Sequence, residues 1–401
     1  MNPSELRSSI ALACVFALRM LGLFLIIPIF SLHAKNLPNG DNSTLVGLTI
    51  GIYAMVQALL HIPLGMLSDR YGRKTIVAFG LSLFIIGALV AASHDDLFWI
   101  LAGRAIQGAG AISAAISAWV ADSTREEVRT RAMAIIGGSI ALSFALSVII
   151  ATPLYELLGM SGIFVMMACL GLAALIVTIQ FVPSAPMLNL PQPEGTQNNW
   201  DRFMKVLNNP QLVKLNLGVL LIHATQVAMF IAIPRMMLAD GLDLPSHWKM
   251  YITVLILSLV VMAPMLMRAE KKNKLALLLK AGAFFVVFAQ LIFFGIIGME
   301  NLNLYVLGFG LVIFFTGFNI LESLIPSLIS VIAGDNRGAG LGIYNTSMSI
   351  GLFLGGIMGG WVFGQLGIQA IFMISLGLMF AWWLLIFNMT GLVRKVKASH
   401  S

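Results

Sequence analysis

Long runs of apolar residues, separated by short polar stretches, dominate this 401-residue chain. Each run is close to the length of about 20 residues that a helix needs to cross the roughly 30 Å hydrocarbon core of a bilayer. We therefore predict an all-α membrane protein with twelve transmembrane helices. The predicted spans are 10–32, 45–66, 75–92, 97–121, 131–155, 162–182, 212–238, 249–267, 275–297, 303–330, 338–363 and 368–392.

The spans fall into two groups of six, on either side of a polar stretch that contains several prolines. We predict an N-terminal six-helix bundle at 1–182, a cytoplasmic linker at 183–211 and a C-terminal six-helix bundle at 212–401. The polar loops after spans two and eight carry charges at matching positions. This correspondence indicates an internal repeat, and such repeats place a substrate cavity at the interface of the two halves.

The linker contains a short stretch with helical periodicity. Trp200, Phe203, Met204 and Leu207 would share one face of that helix. An apolar face on a polar segment suits a helix that lies in the membrane interface. A disordered tether is the alternative.

Composition and charge support the membrane assignment. Hydrophobic residues make up 59% of the chain and charged residues 10%, which leaves too much apolar surface for a soluble domain. Of the 24 Lys and Arg residues, 18 fall on one predicted side of the membrane and 3 on the other. The positive-inside rule then places both termini and the linker in the cytoplasm. The net charge of +7 follows from these loops, so we expect a lipid bilayer and no nucleic acid as partner.

Several classes of chemistry have no signature in the chain. The two cysteines, Cys14 and Cys169, lie inside apolar runs and form no metal-ligand pattern. The sequence contains no phosphate-binding loop of the form G-x-x-x-x-G-K-S/T and no pattern typical of a nucleophile triad. We therefore expect no enzymatic activity, no cofactor and no bound metal, and an ion gradient as the driving force.

The densest group of charges follows span two, between Gly65 and Lys74. This loop resembles motif A of the major facilitator superfamily, G-x-L-x-D-R-x-G-R-K, at every defining position. The segment from Arg104 to Ala111 resembles motif B of the same family, R-x-x-Q-G-x-G-A. The resemblance covers essentially the whole chain and is strongest for the YajR-like branch of the drug:proton antiporter relatives. The segments that carry this part of the resemblance are 16–22, 318–328 and 342–347.

The resemblance implies the major facilitator fold, with two pseudo-symmetric six-helix bundles. It also implies proton-coupled export of small amphipathic or drug-like compounds by alternating access, in a bacterial inner membrane. The implied partners are protons and a small molecule, and the protein is expected to work as a monomer. A proton-coupled importer of a small metabolite and a non-transporting membrane sensor are the alternatives.

Two features depart from the family pattern. Span five lacks the full motif C of antiporters, because Thr152 precedes Pro153 and no Gly-Gly pair follows. This departure is the reason for keeping the importer as an alternative. The chain also ends soon after span twelve, so we expect it to lack the extra soluble C-terminal domain of YajR itself.

The motif A loop is interpreted as a conformational latch, because lysines alone would serve topology without an acid or glycines. In the family, the motif A acid contacts the start of span eleven, which implies the same contact for Asp69. A helix N-terminus has unpaired N–H groups and favours a carboxylate. Arg73 would reach Asp122 at the cytoplasmic end of span four. The predicted latch comprises Asp69, Arg70, Arg73, Asp122, Gly338 and Gly340.

Glu322 is the only acid that lies deep in a predicted span. Burial disfavours the charged form of a carboxyl group, so Glu322 is predicted to carry the coupling proton or to bind a cationic substrate. The alternative is a permanent ion pair with Arg19, Arg104 or Lys280. For Arg104, motif B implies a part in proton transfer, and a hydrogen-bonded anchor is the alternative. The predicted proton or substrate cavity comprises Glu322, Arg104, Arg19, His223, Gln226, Asn319, His61, Gln57, Tyr344 and Asn345.

Span eleven contains a ridge of small residues formed by Gly351, Gly355 and Gly359. Such ridges allow two membrane helices to approach closely. We predict that this ridge serves packing more than sliding.

Overall fold

The computed structural model describes residues 1–183, 199–272, 274–297 and 303–389, and most of these residues are helical. The part of the predicted linker at 184–198 lies outside the described residues. The chain divides into two compact units near residue 190, and the short segment Leu244–Trp248 groups with the first unit. The division falls inside the predicted linker.

The first unit begins with α1 (Pro3–Leu25), the short α2 (Phe30–His33) and α3 (Ser43–Tyr71). The side chains of Asn42 and Asp96 accept hydrogen bonds from backbone N–H groups at two of the helix starts in this unit. Such caps satisfy donors that have no partner within the helix. The remaining helices of the unit are α4 (Arg73–Ala92), α5 (Leu97–Ala109), α6 (Ser113–Asp122) and α7 (Glu126–Gln180).

The second unit uses the same capping device. Asn209 and Asn303 accept backbone hydrogen bonds at two of its helix starts, so an asparagine marks the beginning of an apolar run in both units. The described helices of this part of the chain are α8 (Asn199–Leu207), α9 (Pro210–Ala239), α10 (His247–Lys271), α11 (Leu275–Ile296), α12 (Leu304–Ala333) and α13 (Arg337–Phe387).

Ten segments of the described chain are long and apolar enough to cross a membrane, and two of them have 50 residues each. A straight helix of that length would measure about 75 Å, more than twice the thickness of the bilayer core. Gly159, with φ 65°, and Gly367, with φ 81°, interrupt these two segments. Glycine adopts this left-handed region without steric cost. Each segment therefore contains two spans, and the prediction of twelve transmembrane helices is confirmed.

Predicted span four is not one continuous helix. It consists of α5, which ends at Ala109, and α6, which begins at Ser113. A Cβ atom on Gly110 would meet the carbonyl oxygen of Gly80 in α4. The break therefore lies where two backbones approach closely, at the C-terminal end of the segment that resembles motif B. Hydropathy is continuous across this point, so the sequence predicted a single span.

The glycine ridge of span eleven lies on α13 and packs against α9. A Cβ atom on any of the three ridge glycines would meet backbone atoms of that helix. This close approach agrees with a packing role for the ridge, and the choice between packing and sliding stays a prediction. The ridge residues and the residues that they meet are Gly351 with Leu220, Gly355 with Ala224 and Gly359 with Ala228.

The described part of the linker is helical. α8 packs against α9 and α13. Val206 is buried, whereas Leu207 of the predicted interfacial face is exposed. The side chain of Trp200 lies outside the described ones, so the interfacial position of the helix stays a prediction.

Candidate functional site

Arg19 of α1 is a fully buried cation in the first unit. Its Nη2 donates hydrogen bonds to the hydroxyl of Tyr53 and, at 3.4 Å, to Oε1 of Gln57. Its Nη1 donates to Oγ of Ser113 at 3.4 Å. Tyr53 and Gln57 lie one turn apart on α3, and Ser113 is the first residue of α6. Three helices therefore meet through Arg19, and all of its hydrogen-bond partners are neutral.

Arg104 of α5 shares Tyr53 with Arg19. The Cζ atom of Arg104 lies 4.9 Å from the centroid of the Tyr53 ring, and that of Arg19 lies 5.7 Å from it. Arg104 also donates to Oε1 of Gln107 at 3.3 Å and to the carbonyl oxygen of Ile50 at 3.4 Å. The face of an aromatic ring attracts cations, so one tyrosine holds two guanidinium groups together.

Glycines of α5 set the distance between these helices. A Cβ atom on Gly108 would meet the carbonyl oxygen of Tyr53, and one on Gly103 would meet the carbonyl oxygen of Gly87 in α4. Larger residues would force α5 away from both neighbours. Gly108, within the motif B segment, therefore allows Arg104 to lie against Tyr53.

Several polar atoms of this region have no hydrogen-bond partner among the described residues. They are Nε of Arg19, Nε of Arg104, Nε2 of Gln107 and Nε2 of His61. Within the described part of the chain, neither guanidinium forms a salt bridge with a carboxylate. Two positive charges therefore rest on neutral partners alone. We call Arg19, Tyr53, Gln57, Arg104 and Gln107 the arginine cluster.

The second unit contains a cluster of opposite character. Glu322 of α12 accepts a hydrogen bond at Oε1 from the hydroxyl of Tyr344 in α13, at 3.0 Å. Its Oε2 lies 3.5 Å from Nε2 of His223 in α9. The Glu322 side chain is 39% exposed and that of His223 6% exposed. We call Glu322, His223 and Tyr344 the carboxyl cluster.

The orientation of His223 determines where its protons lie. Its Nδ1 is 2.9 Å from the carbonyl oxygen of Val219. Because a carbonyl oxygen only accepts hydrogen bonds, Nδ1 carries a hydrogen there. Nε2 therefore faces Oε2 of Glu322, and a proton bound to either group would lie between them.

The other predicted cavity residues of the second unit form no hydrogen bond with this cluster among the described contacts. Asn319 donates to Oγ of Ser258 in α10 at 3.4 Å. Gln226 is buried and Asn345 partly buried, and among the described contacts no hydrogen bond joins either of them to Glu322. The Nζ atom of Lys280 lies 5.2 Å from the centroid of the Phe387 ring. An ion pair between Lys280 and Glu322 is therefore absent from the described contacts.

The predicted ion pair of the latch joins the start of α4 to the end of α6. Arg73, the first residue of α4, donates from Nε to Oδ2 of Asp122 at 2.9 Å, and the two side chains are 15% and 33% exposed. Nη1 of Arg73 also donates to Oγ of Ser68 at 2.6 Å. Gly72, with φ 90°, allows the sharp turn between the two helices. The structure thus joins the ends of α3, α4 and α6.

The other predicted latch residues are described only in part. Arg70 is exposed and lies over the ring of its neighbour Tyr71, at 5.5 Å. The side chain of Asp69 lies outside the described ones. Gly338 and Gly340 belong to the first turns of α13. The contact between Asp69 and this helix start stays a prediction.

Two interactions were missed by the sequence interpretation. Glu5 accepts from Nε of Arg125 at 2.9 Å and from the backbone N–H of Arg125 at 3.2 Å, which ties the start of α1 to the start of α7. Nothing local in the sequence pairs residues so far apart. Tyr53 was also missed, although it follows the same helical stripe as Gln57 and His61, at successive turns of α3. That stripe was a usable signal.

Comparison with known proteins gives consistent results. The sequence profile of the Major Facilitator Superfamily matches residues 12–334. The chain is 35% identical to the inner membrane transport protein YajR of Escherichia coli (strain K12) over 383 residues, which cover 95% of this chain and 83% of YajR. It is 28% identical to the methylenomycin A resistance protein of Bacillus subtilis (strain 168) over 184 residues, which cover 45% of this chain and 40% of that protein.

A solved structure shows the same fold. It is that of a bacterial homologue of the human lysosomal transporter Spinster, in an inward-facing and occupied conformation. The TM-score is 0.74 at 14% identity, and the alignment covers 96% of this chain and 97% of that one. At this level of identity the likeness concerns the fold alone.

Proposed function

Because the chain belongs to the Major Facilitator Superfamily, we propose that it is a proton-coupled secondary transporter that exports small amphipathic or drug-like compounds by alternating access. The protein is a multi-pass membrane transporter and not an enzyme. Its proposed location is a bacterial inner membrane with both termini in the cytoplasm, because 18 of the 24 Lys and Arg residues lie on that side of the predicted spans.

The His223–Glu322 pair is the observation that carries the proton coupling. A transporter that uses a proton gradient needs a group that binds a proton on one side of the membrane and releases it on the other. We propose that this pair shares the coupling proton, with Tyr344 hydrogen-bonded to the second carboxyl oxygen at 3.0 Å. The partial exposure of Glu322 gives protons a way to reach it. We assign the coupling proton to this carboxyl group.

Export is the proposed direction. The name of the methylenomycin A resistance protein, which aligns with nearly half of the chain, supports a part in the removal of harmful compounds. A proton moving inward through a potential of 100 mV releases about 2.3 kcal/mol. That energy would sustain a concentration ratio of roughly 50 for an exported neutral compound.

Alternating access also needs contacts that form in one state and break in the other. The Arg73–Asp122 ion pair lies on the predicted cytoplasmic side and joins three helix ends. A partly exposed pair of this kind contributes about 1 kcal/mol, which biases two states without locking one. We propose that it positions the motif A loop, so that Asp69 can engage the start of α13 when the cytoplasmic side is closed.

The test uses purified protein in liposomes that contain a pH-sensitive dye and start with an acidic lumen. Addition of an exported compound to the wild-type protein should raise the luminal pH, because protons leave as the compound enters the lumen. Glu322→Gln should abolish this change but retain exchange of labelled compound across the membrane. Glu156→Gln, which removes an exposed carboxyl group of α7, should behave like the wild type.

Other outcomes would assign a different function. Proton-driven transport by Glu322→Gln at the wild-type rate would remove the carboxyl cluster from the coupling mechanism. Movement of compound in the same direction as protons would identify an importer. Binding of a compound without any flux would identify a sensor.

A further inference from the structure

The arginine cluster has a feature that helix packing alone does not explain. Arg19 is 0% exposed and Arg104 2% exposed, and both guanidinium groups remain charged in proteins under ordinary conditions. Burying a charge is costly unless an opposite charge accompanies it. Among the described residues the cluster offers these two cations only uncharged partners. It therefore has a deficit of negative charge.

The cluster also has unused hydrogen-bond donors. Nε of Arg19 and Nε of Arg104 are buried without a partner, and so is Nε2 of Gln107. All three nitrogen atoms can only donate hydrogen bonds, so each needs an acceptor. What the site lacks is an acceptor with several lone pairs and a negative charge. A carboxylate has both, and its planar shape matches the fork of a guanidinium group.

We propose that Arg19 and Arg104 bind the carboxylate of the transported compound, so that the substrates are amphipathic organic anions. This inference rests on the proposed transport function and adds the chemical class of the substrate. The arginines form the binding site for the acidic group, with Gln107 as a further donor.

A purely structural role for the two arginines makes a different prediction. As anchors, they would hold α1, α3 and α5 together through the bonds to Tyr53, Gln57 and Ile50. Substitution would then lower stability but leave the preference among ligands unchanged. Ligand preference is therefore the measurement that separates the two roles.

The experiment compares probes that share one apolar body and differ only in the charge of the head group. One set is 4-phenylbutyrate, 4-phenylbutyramide and 4-phenylbutylamine, and a second set carries the same three head groups on a naphthalene ring. Binding to the purified full-length protein is measured from the rise of the melting temperature with probe concentration. The proteins are the wild type, Arg19→Gln, Arg104→Gln and Arg235→Gln. Arg235 serves as the matched control because its guanidinium lies 4.4 Å from the Phe363 ring in the second unit.

The wild type should bind the carboxylates at least roughly tenfold more tightly than the amides, and the amines more weakly still, since a charge-assisted hydrogen bond contributes this much. Arg19→Gln and Arg104→Gln should each lose that preference. Arg235→Gln should retain it. If either glutamine variant fails to fold, Arg104→Lys keeps the charge without the fork and should show a reduced preference for carboxylates.

The proposal is wrong if no carboxylate stabilises the wild type more than the matching amide does. It is also wrong if the preference survives in both glutamine variants. Measuring the same probes on Glu322→Gln separates this inference from the proposed function. Binding preference should be intact there, because it does not depend on proton movement. A failure of proton coupling would therefore leave the carboxylate preference in place.

Discussion

The charged residues inside the helical spans of the two units have partners of opposite kinds. In the first unit, two arginines share one tyrosine and have neutral partners. In the second unit, a glutamate contacts a histidine and a tyrosine. A guanidinium group keeps its charge, whereas a carboxyl group can exchange a proton. In the proposed mechanism the first unit supplies a fixed charge and the second unit a group that carries the coupling proton.

This difference suggests a division of labour. A permanent cation is suited to holding a ligand, because its attraction does not vary during the cycle. A titratable pair is suited to coupling, because its charge follows the proton supply. Single substitutions should then disturb ligand binding and proton coupling separately.

The largest effect is expected from a charge reversal in the first unit. Arg104→Glu would place a carboxylate beside Arg19 and so supply the missing negative charge from within the protein. We expect carboxylate binding to fall by roughly 100-fold, because the internal acid competes with the ligand and repels it. The melting temperature of Arg104→Glu should fall less than expected for an unpaired buried charge, because the new carboxylate would pair with Arg19. Unchanged binding of 4-phenylbutyrate would separate the arginine cluster from the ligand.

A steric change should break the same cluster without altering any charge. Gly108→Ala would drive a methyl group into the carbonyl of Tyr53 and should cost about 1–3 kcal/mol of stability. The matched control is Gly377→Ala in α13, where a Cβ atom meets nothing within 4 Å. That variant should be as stable as the wild type or slightly more so, since alanine is the better helix former. Thermal unfolding of both variants in detergent measures the difference, and equal melting temperatures would contradict the close approach of α5 to α3.

In the second unit, His223→Gln removes the residue that we propose shares the coupling proton with Glu322. We expect proton-driven flux to fall by roughly tenfold or more, because one member of the acid–base pair is lost. Carboxylate binding should stay unchanged. His94→Gln, at an exposed histidine between α4 and α5, is the control. A flux loss of the same size in both histidine variants would argue against a specific role for His223.

The smallest effect concerns the predicted latch. Arg73→Ala removes the ion pair with Asp122 and the hydrogen bond to Ser68, and Asp69→Asn removes the predicted contact with the start of α13. Each should slow transport by about fivefold, which corresponds to about 1 kcal/mol. Membrane insertion, measured from the amount of protein in the membrane fraction, should not change.

Lys272→Ala is the control for the latch variants, because Lys272 is exposed in the corresponding loop of the second unit. It removes one positive charge from the same predicted side of the membrane. Transport at the wild-type rate by Arg73→Ala and Asp69→Asn would show that the motif A loop sets topology alone.

The sequence was a good guide where the physical signal is local. Hydropathy identified the spans, and glycines with positive φ now account for the turns at Gly159 and Gly367 inside two long segments. The motif A resemblance correctly paired Arg73 with Asp122. An acid in the middle of an apolar run singled out Glu322, because such a residue is rare and needs a partner.

The residues that contact Glu322 were harder to predict from the sequence. His223 and Tyr344 lie on α9 and α13, and only the packing of these helices brings them to Glu322. Single-sequence periodicity contains no information on which helices are neighbours. The break in span four was missed for a related reason, since it depends on the approach of Gly110 to Gly80 and not on hydropathy. Asn319 and Gln226 were polar residues in the correct helices, but the described contacts do not join them to Glu322.

The most direct test measures proton movement and ligand binding on the same preparations of Glu322→Gln and Arg104→Gln. Luminal pH reports the first quantity, and the shift of the melting temperature with 4-phenylbutyrate reports the second. The account predicts that Glu322→Gln loses proton movement but keeps carboxylate binding, and that Arg104→Gln loses carboxylate binding and with it the proton movement that the ligand drives. Loss of carboxylate binding in Glu322→Gln as well, with folding intact, would contradict the division of labour between the two units.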